Sequence, residues 1–133
     1  MSDEGAVSIR LLIADDHALV RSGLRSMLQR EPGIEIVGEA CNGREAVELC
    51  CSLRPDLVLM DVRMPEMDGL EATRAIKHEC PETGVLMVTM HECGDYMLEA
   101  TQAGATGYVL KDAARDELVG AVRHVARHAP PDH

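Results

Sequence analysis

The sequence has no tryptophan and no phenylalanine, and its only tyrosines are Tyr96 and Tyr108. A core without large rings has to be filled by Leu, Ile, Val, Ala and the eight methionines, a common solution that says nothing about function. Basic residues are scarce as well: 13 Lys and Arg face 23 Asp and Glu, a formal net charge of −10. That balance argues against a chain that itself grips a nucleic-acid backbone or an anionic membrane, and it suits a soluble module that binds cations. The five cysteines, Cys41, Cys50, Cys51, Cys80 and Cys93, are an odd set without C-x-x-C spacing. With no long apolar run and no signal peptide in view, the expectation is a reduced, cytoplasmic protein with structural or incidental cysteines. A zinc site built from these thiols with His124 and His128, one helical turn apart, lacks the required ligand spacing.

At 133 residues the chain fits one domain, enough to bury roughly two thirds of its unfolded surface. The domain is expected over residues 8–128, with 1–7 a disordered tail and 129–133, containing Pro130-Pro131, the start of a linker or a tail. No internal repeat or low-complexity tract interrupts it.

Short apolar runs alternate with helical periodicity along this domain. Ile9 to Ala14 reads as a buried strand, followed by a helix with Val20, Leu24, Met27 and Leu28 on one face, stopped at Glu31-Pro32-Gly33. Ile34 to Glu39 alternates apolar with polar or small residues, as a strand at a sheet edge does. Asn42-Gly43 is expected to turn the chain into a second helix carrying Ala46, Leu49, Cys50 and Leu53, which ends at Arg54-Pro55. Leu57 to Met60 is a third strand, and after a loop from Val62 to Asp68, Asp68 caps a helix that turns Ala72, Ala75 and Ile76 inward. Val85 to Val88 is a fourth strand ending in Thr89. A weakly patterned fourth helix is expected from Gly94 to Gln102, then a short strand ending at Leu110. A last helix carries Ala114, Leu118, Ala121, Val122 and Val125. Strands alternating with helices make a doubly wound parallel α/β sheet, because right-handed crossovers place helices on both faces.

Polar residues collect where the strands end. Asp15-Asp16 follows the first strand, Asp61 the third, Thr89 the fourth and Lys111 the fifth. Open α/β sheets place their sites at that edge. Converging carboxylates repel one another and raise at least one pKa unless a cation neutralises them, so a divalent metal is expected. Counted as oxygen-only ligands with no His or Cys adjacent, they favour Mg²⁺ or Mn²⁺ over Zn²⁺. Asp61 suits a carboxylate nucleophile that attacks a phosphoryl group, a chemistry that needs charge neutralisation more than a base. The bland alternatives are helix caps and turn residues for the aspartates, packing for Thr89 and a solvated side chain for Lys111.

Four segments, LLIADDHALVRSGL, DLVLMDVRMPEMDGLEA, VLMVTM and GYVLKDA, stand in an order and at separations that resemble the receiver domain of two-component response regulators over roughly residues 8 to 127. The resemblance implies a flavodoxin-like (βα)5 sheet of strand order 2-1-3-4-5. It also implies that a sensor histidine kinase phosphorylates Asp61. Asp16 would then ligate Mg²⁺ directly, Asp15 largely through water, and the Arg63 backbone carbonyl would complete the protein ligands. Thr89 and Lys111 would bind the phosphoryl group, Thr89 and Tyr108 would form the switch, and Arg63, Met90 and His91 would set the lifetime of the aspartyl phosphate. The segments ADDHALVRSGL and Lys111-Asp112 are similar to the NarL/FixJ (LuxR-type output) subgroup. That subgroup implies a phosphorylation-dependent homodimer, through the first and fifth helices or the fourth-helix face, and DNA contact only through a C-terminal helix-turn-helix domain absent from this chain.

Other functions fit less well. A Mg²⁺-dependent phosphatase of the haloacid dehalogenase kind wants a second aspartate two residues after the nucleophile, where this chain has Arg63, so no enzyme beyond self-phosphorylation and autodephosphorylation is expected. A flavodoxin-like cofactor binder needs a phosphate-cradling loop where Asp15-Asp16 stands. A receiver fold that serves only as a binding platform, independent of phosphorylation, stays open.

Overall fold

Strand and helix follow the sequence pattern closely. The computed structural model describes residues 8–62, 64, 66–89, 99, 101–110 and 114–127. Strands β1 (Ile9–Ala14), β2 (Ile34–Ala40), β3 (Leu57–Asp61), β4 (Gly84–Thr89) and β5 (Gly107–Leu110) form one sheet, with α1 (Ala18–Leu28), α2 (Gly43–Leu53), α3 (Gly69–Glu79) and a C-terminal helix (Arg115–Arg127). The order is β2-β1-β3-β4-β5 and every neighbouring pair is parallel, the flavodoxin-like arrangement expected. Glu99 and residues 101–103 are helical, whereas the rest of the helix expected over Gly94–Gln102 lies outside the described residues.

Alternation along the central strands sorts the core into two layers, since successive side chains leave a strand on opposite faces. Leu12, Ala14, Val58, Met60, Val85 and Met87 point to one side, where Ala46 and Cys50 of α2 and Ala72 and Ile76 of α3 cover them. Leu11, Ile13, Leu57, Leu59, Leu86 and Val88 point to the other, against Leu24 and Leu28 of α1 and Leu118, Val122 and Val125 of the C-terminal helix. Each fully buried Leu, Ile or Met is worth about 1.5–3 kcal/mol against exposure. Continuous apolar runs are therefore what a two-sided sheet demands of its central strands.

The edge strand β2 is only partly buried between its ends, as its alternating sequence foretold. Its register against β1 shifts where Leu11 pairs with Ile36 but Leu12 pairs with Gly38, leaving Val37 as the extra residue of a bulge. The C-terminal helix is tied back by charge: Arg115 and Arg123 both donate to the Glu31 carboxylate beyond the end of α1.

Helix ends are set by side chains the sequence made visible. Asp68 and Glu71 form a reciprocal capping box at α3, Asp68 Oδ1 accepting the Glu71 N–H at 2.9 Å and Glu71 Oε1 accepting the Asp68 N–H at 3.2 Å. Arg54 ends α2 in a left-handed conformation, φ 52°, just before Pro55. Two expectations are corrected. Asn42-Gly43 is not a separate turn: Asn42 is the N-cap of α2, accepting the Glu45 N–H at 2.8 Å, and Gly43 is the first helical residue. Ala114 is exposed and precedes the C-terminal helix, whose buried face includes Val119 instead. Thr73, a polar residue on the inner face of α3, is accommodated because its hydroxyl donates to the Gly69 carbonyl at 2.6 Å.

Gly43 is held where no side chain fits. Its N–H donates to the Met67 carbonyl at 3.1 Å, and a Cβ there would lie 2.1 Å from that oxygen. Gly43→Ala is expected to cost about 1–3 kcal/mol by forcing the two backbones apart, measured as a lower urea midpoint at unchanged m-value. A second prediction concerns Glu45, whose carboxyl is held below its usual value by the Cys41 N–H, donating at 2.7 Å, and then by the Cys41 thiol. A lowered carboxylate pKa contributes stability above the unfolded value, about 4.3, and loses it as pH falls through the folded one. Glu45→Gln is therefore expected to be less stable than the native chain near neutral pH, with the gap closing as pH drops below that range in parallel urea titrations.

Candidate functional site

Strand register brings the acidic residues together. Ala14 pairs with Met60, so the next residues, Asp15 and Asp61, leave adjacent strands side by side, and Asp61 itself pairs with Val88, one residue before Thr89. Asp61 is the last residue of β3, slightly later in the strand than its sequence pattern indicated, and is 5% exposed. Asp15 is 0% exposed, and Thr89, the last residue of β4, is also buried. Burying a carboxylate is costly unless it is paired or hydrogen-bonded, so the groups around these residues are part of the site.

The backbone of Asp15 is anchored from two sides. Its N–H donates to the Ala40 carbonyl at the end of β2 at 3.0 Å, and its carbonyl accepts from the Arg21 guanidinium of α1 at 2.7 Å. Its Oδ1 accepts the His17 N–H at 2.9 Å, which turns the chain into α1. Across the pocket, the Gly69 N–H donates to the Val62 carbonyl at 2.8 Å. A Cβ on Gly69 would lie 2.0 Å from the Asp61 carbonyl oxygen, so glycine lets the start of α3 press directly on the strand that carries Asp61.

Asp15, Asp16, His17 and Asp61 each bring one ligand atom within 4.8 Å of the others. His17 is the residue that sequence reasoning missed, although it directly follows the aspartate pair, and the expectation that no His stands adjacent to the carboxylates is corrected. Its Nδ1 lies 3.1 Å from Asp16 Oδ1 and 3.5 Å from Asp15 Oδ1, while its ring is mostly exposed. Even so, the buried Oδ1 of Asp16 accepts no well-aligned hydrogen bond among the described residues. Three carboxylates with an under-satisfied buried oxygen fit a divalent cation: hard oxygen donors dominate, and an imidazole at the rim is within reach of the same volume.

Tyr108 stands on the edge strand β5 and is 41% exposed. Leu110, the last described residue before Lys111, pairs with Thr89. Lys111, Arg63, Met90 and His91, singled out from the sequence, lie outside the described residues. Among the described residues, no helix is long and apolar enough to cross a membrane.

Comparison with known proteins agrees with this geometry. The sequence matches the family described as the response regulator receiver domain over residues 11–123. It is 44% identical over 117 residues to the response regulator GacA of Pseudomonas aeruginosa, covering 88% of this chain and 55% of that protein. The response regulator UvrY of Escherichia coli (strain K12) is also 44% identical over 117 residues, covering 88% of this chain and 54% of its own. The chain thus spans about half the length of the curated relatives it matches. Among solved structures, the signal receiver domain of NarL from Mycobacterium tuberculosis superposes with a TM-score of 0.87 at 38% identity, covering 92% of this chain and 98% of that one. A LuxR-family two-component response regulator from Aurantimonas sp. SI85-9A1 gives a TM-score of 0.86 at 38% identity, covering 90% and 86%. With the sheet order, the strand-end aspartates and these relatives in agreement, the chain belongs to the response regulator receiver domain family, within its NarL/FixJ subgroup.

Proposed function

We propose that this domain is a phosphorylation-dependent signalling switch in which a sensor histidine kinase delivers a phosphoryl group to Asp61. The observation that carries the proposal is the position of Asp61, at the end of a buried strand with the carboxylates of Asp15 and Asp16 within 4.8 Å. A carboxylate oxygen of Asp61 attacks phosphorus, the bond to the kinase imidazole breaks, and an acyl phosphate results. The backbone that carries Asp61 is held for this by β3 and by the close approach of Gly69 to the Asp61 carbonyl. Mg²⁺, or Mn²⁺ in its place, supplies the positive charge that the transfer needs. Asp16 and Asp61 would hold it directly, Asp15 largely through water, and the Arg63 carbonyl would be the fourth protein ligand.

Thr89 and Lys111 would bind the phosphoryl oxygens, and the exposed Tyr108 ring would move inward behind Thr89. The side chains of Arg63, Met90 and His91 would set how quickly water reaches the acyl phosphate. Moving such a switch from 1:99 to 99:1 takes a differential binding energy of about 5.5 kcal/mol, which the contacts to the added phosphate have to provide. Homodimerisation would follow, through α1 with the C-terminal helix or through the segment 94–102. Control of transcription would pass through a helix-turn-helix domain elsewhere in the full protein, in line with the regulatory names of the relatives.

Intact mass after incubation with Mg²⁺ and phosphoramidate tests the acceptor. One added phosphate is expected on the native chain and none on Asp61→Asn. No adduct on the native chain from either phosphoramidate or a phosphorylated kinase would instead identify a phosphorylation-independent binding platform. The metal is tested separately with Asp16→Asn. Removing one of the neighbouring negative charges is expected to raise metal-free stability by about 1 kcal/mol in low salt, an advantage that shrinks as salt screens the site. The same substitution is expected to abolish the stabilisation that millimolar Mg²⁺ or Mn²⁺ gives the native chain in urea melts.

A further inference from the structure

Hard-ion chemistry alone leaves one side chain at the acidic edge without a part. His17 stands at the N-cap of α1, a place favoured by short polar side chains that accept a helix N–H, yet its ring makes no such bond. Its backbone is fixed on both sides. The N–H donates to Asp15 Oδ1 at 2.9 Å, and the carbonyl accepts the Arg21 N–H at 3.0 Å. From that anchored position, with φ −97° and ψ 112°, the ring lies beside the aspartates: Nδ1 is 3.1 Å from Asp16 Oδ1 and 3.5 Å from Asp15 Oδ1. The shorter distance is not a well-aligned hydrogen bond, because the buried Asp16 Oδ1 accepts none among the described residues.

Those separations suit ligands of one ion. Adjacent ligands of an octahedral ion with bonds of about 2.1 Å stand about 3 Å apart. Among the described residues, Asp15, Asp16, His17 and Asp61 are the one group of three or more His, Cys, Asp or Glu side chains able to close on an ion. We propose that His17 is a metal ligand through Nδ1 and gives the pocket a second specificity, for borderline first-row ions of the Co²⁺, Ni²⁺ and Zn²⁺ class in competition with Mg²⁺, an inference that rests on reading Asp15, Asp16 and Asp61 as a cation site.

Ligand chemistry separates the two classes of ion. Mg²⁺ takes oxygen ligands and gives up its waters reluctantly, so a neighbouring imidazole adds little to its binding. Nickel and zinc accept imidazole readily, and from manganese to copper the affinity of mixed nitrogen and oxygen sites rises. A neutral nitrogen also supplies a ligand without a fourth negative charge beside three carboxylates. The His17 side chain is 68% exposed, so a small rotation toward an ion disturbs no packing. Occupancy by such an ion excludes Mg²⁺ from the pocket around Asp61, and the domain thereby answers to the supply of borderline metals as well as to a phosphodonor.

Titration calorimetry of the metal-stripped whole chain, with Ni²⁺ alone and with Mg²⁺ alone, tests this without any phosphodonor. The native chain is expected to hold a tight Ni²⁺ that excess Mg²⁺ displaces. His17→Ala is expected to lower the ratio of Ni²⁺ to Mg²⁺ affinity by about tenfold or more. A residue that merely shaped the loop would weaken both ions alike and leave that ratio fixed. Since the His17 side chain is exposed and caps nothing, the variant is expected to fold, with a urea midpoint to check it. His124→Ala is expected to keep the native ratio, and Asp16→Asn to lose both ions. An unchanged ratio in His17→Ala, or a tight Ni²⁺ that survives Asp16→Asn or resists Mg²⁺, would overturn the proposal. Failure of the native chain to bind Mg²⁺ at all would overturn the cation site itself, and this inference with it.

Discussion

Everything at the working edge depends on holding like charges close together. Asp15, Asp16 and Asp61 are drawn within 4.8 Å by strand register, and no arrangement of free side chains would choose that separation in water. The energy that enforces it comes from elsewhere. Two layers of aliphatic and methionine side chains pin β1 and β3, and the ends of those strands follow. The apolar interior thus holds a charged corner in place, a common division of labour between fold and site.

The framework that keeps the corner from relaxing is largely backbone. Gly43 lets the start of α2 lie against the Met67 carbonyl, and Gly69 lets the start of α3 lie against that of Asp61. Each contact brings a helix N-terminus, with its partial positive charge, close to the loop between β3 and α3. The Asp68–Glu71 box then fixes where α3 begins, so the loop is tied at both ends. His17 plays the corresponding part after β1, with its N–H on Asp15 and its ring over Asp16.

Most of this was legible in the sequence, and the exceptions have physical reasons. Strand positions were clear because strands buried on both faces are continuous apolar runs, and β2 declared itself an edge by alternating. Asp15, Asp16 and Asp61 drew attention because they stand where such runs end, and strand register does bring them together. His17 escaped because attention to hard oxygen donors hid an imidazole one residue further on. Gly43 and Asn42 were taken for a turn because Asn-Gly is a turn signal, and only the distant Met67 carbonyl makes Gly43 a helix start. Ala114 was counted on the last helix because alanine carries little information about where a helix starts, and Val119 was left off its buried face.

The sorting of the core into two layers has an evolutionary consequence. Among the described residues, the side chains behind α2 and α3 form one buried cluster and those behind α1 and the C-terminal helix another, because the sheet itself stands between them. Energetic effects of substitutions in separate layers are close to additive, whereas those within one layer couple. One helical face of the domain can therefore drift to suit new associates while the other keeps its packing, and a lineage can diversify its surfaces without first rebuilding its interior.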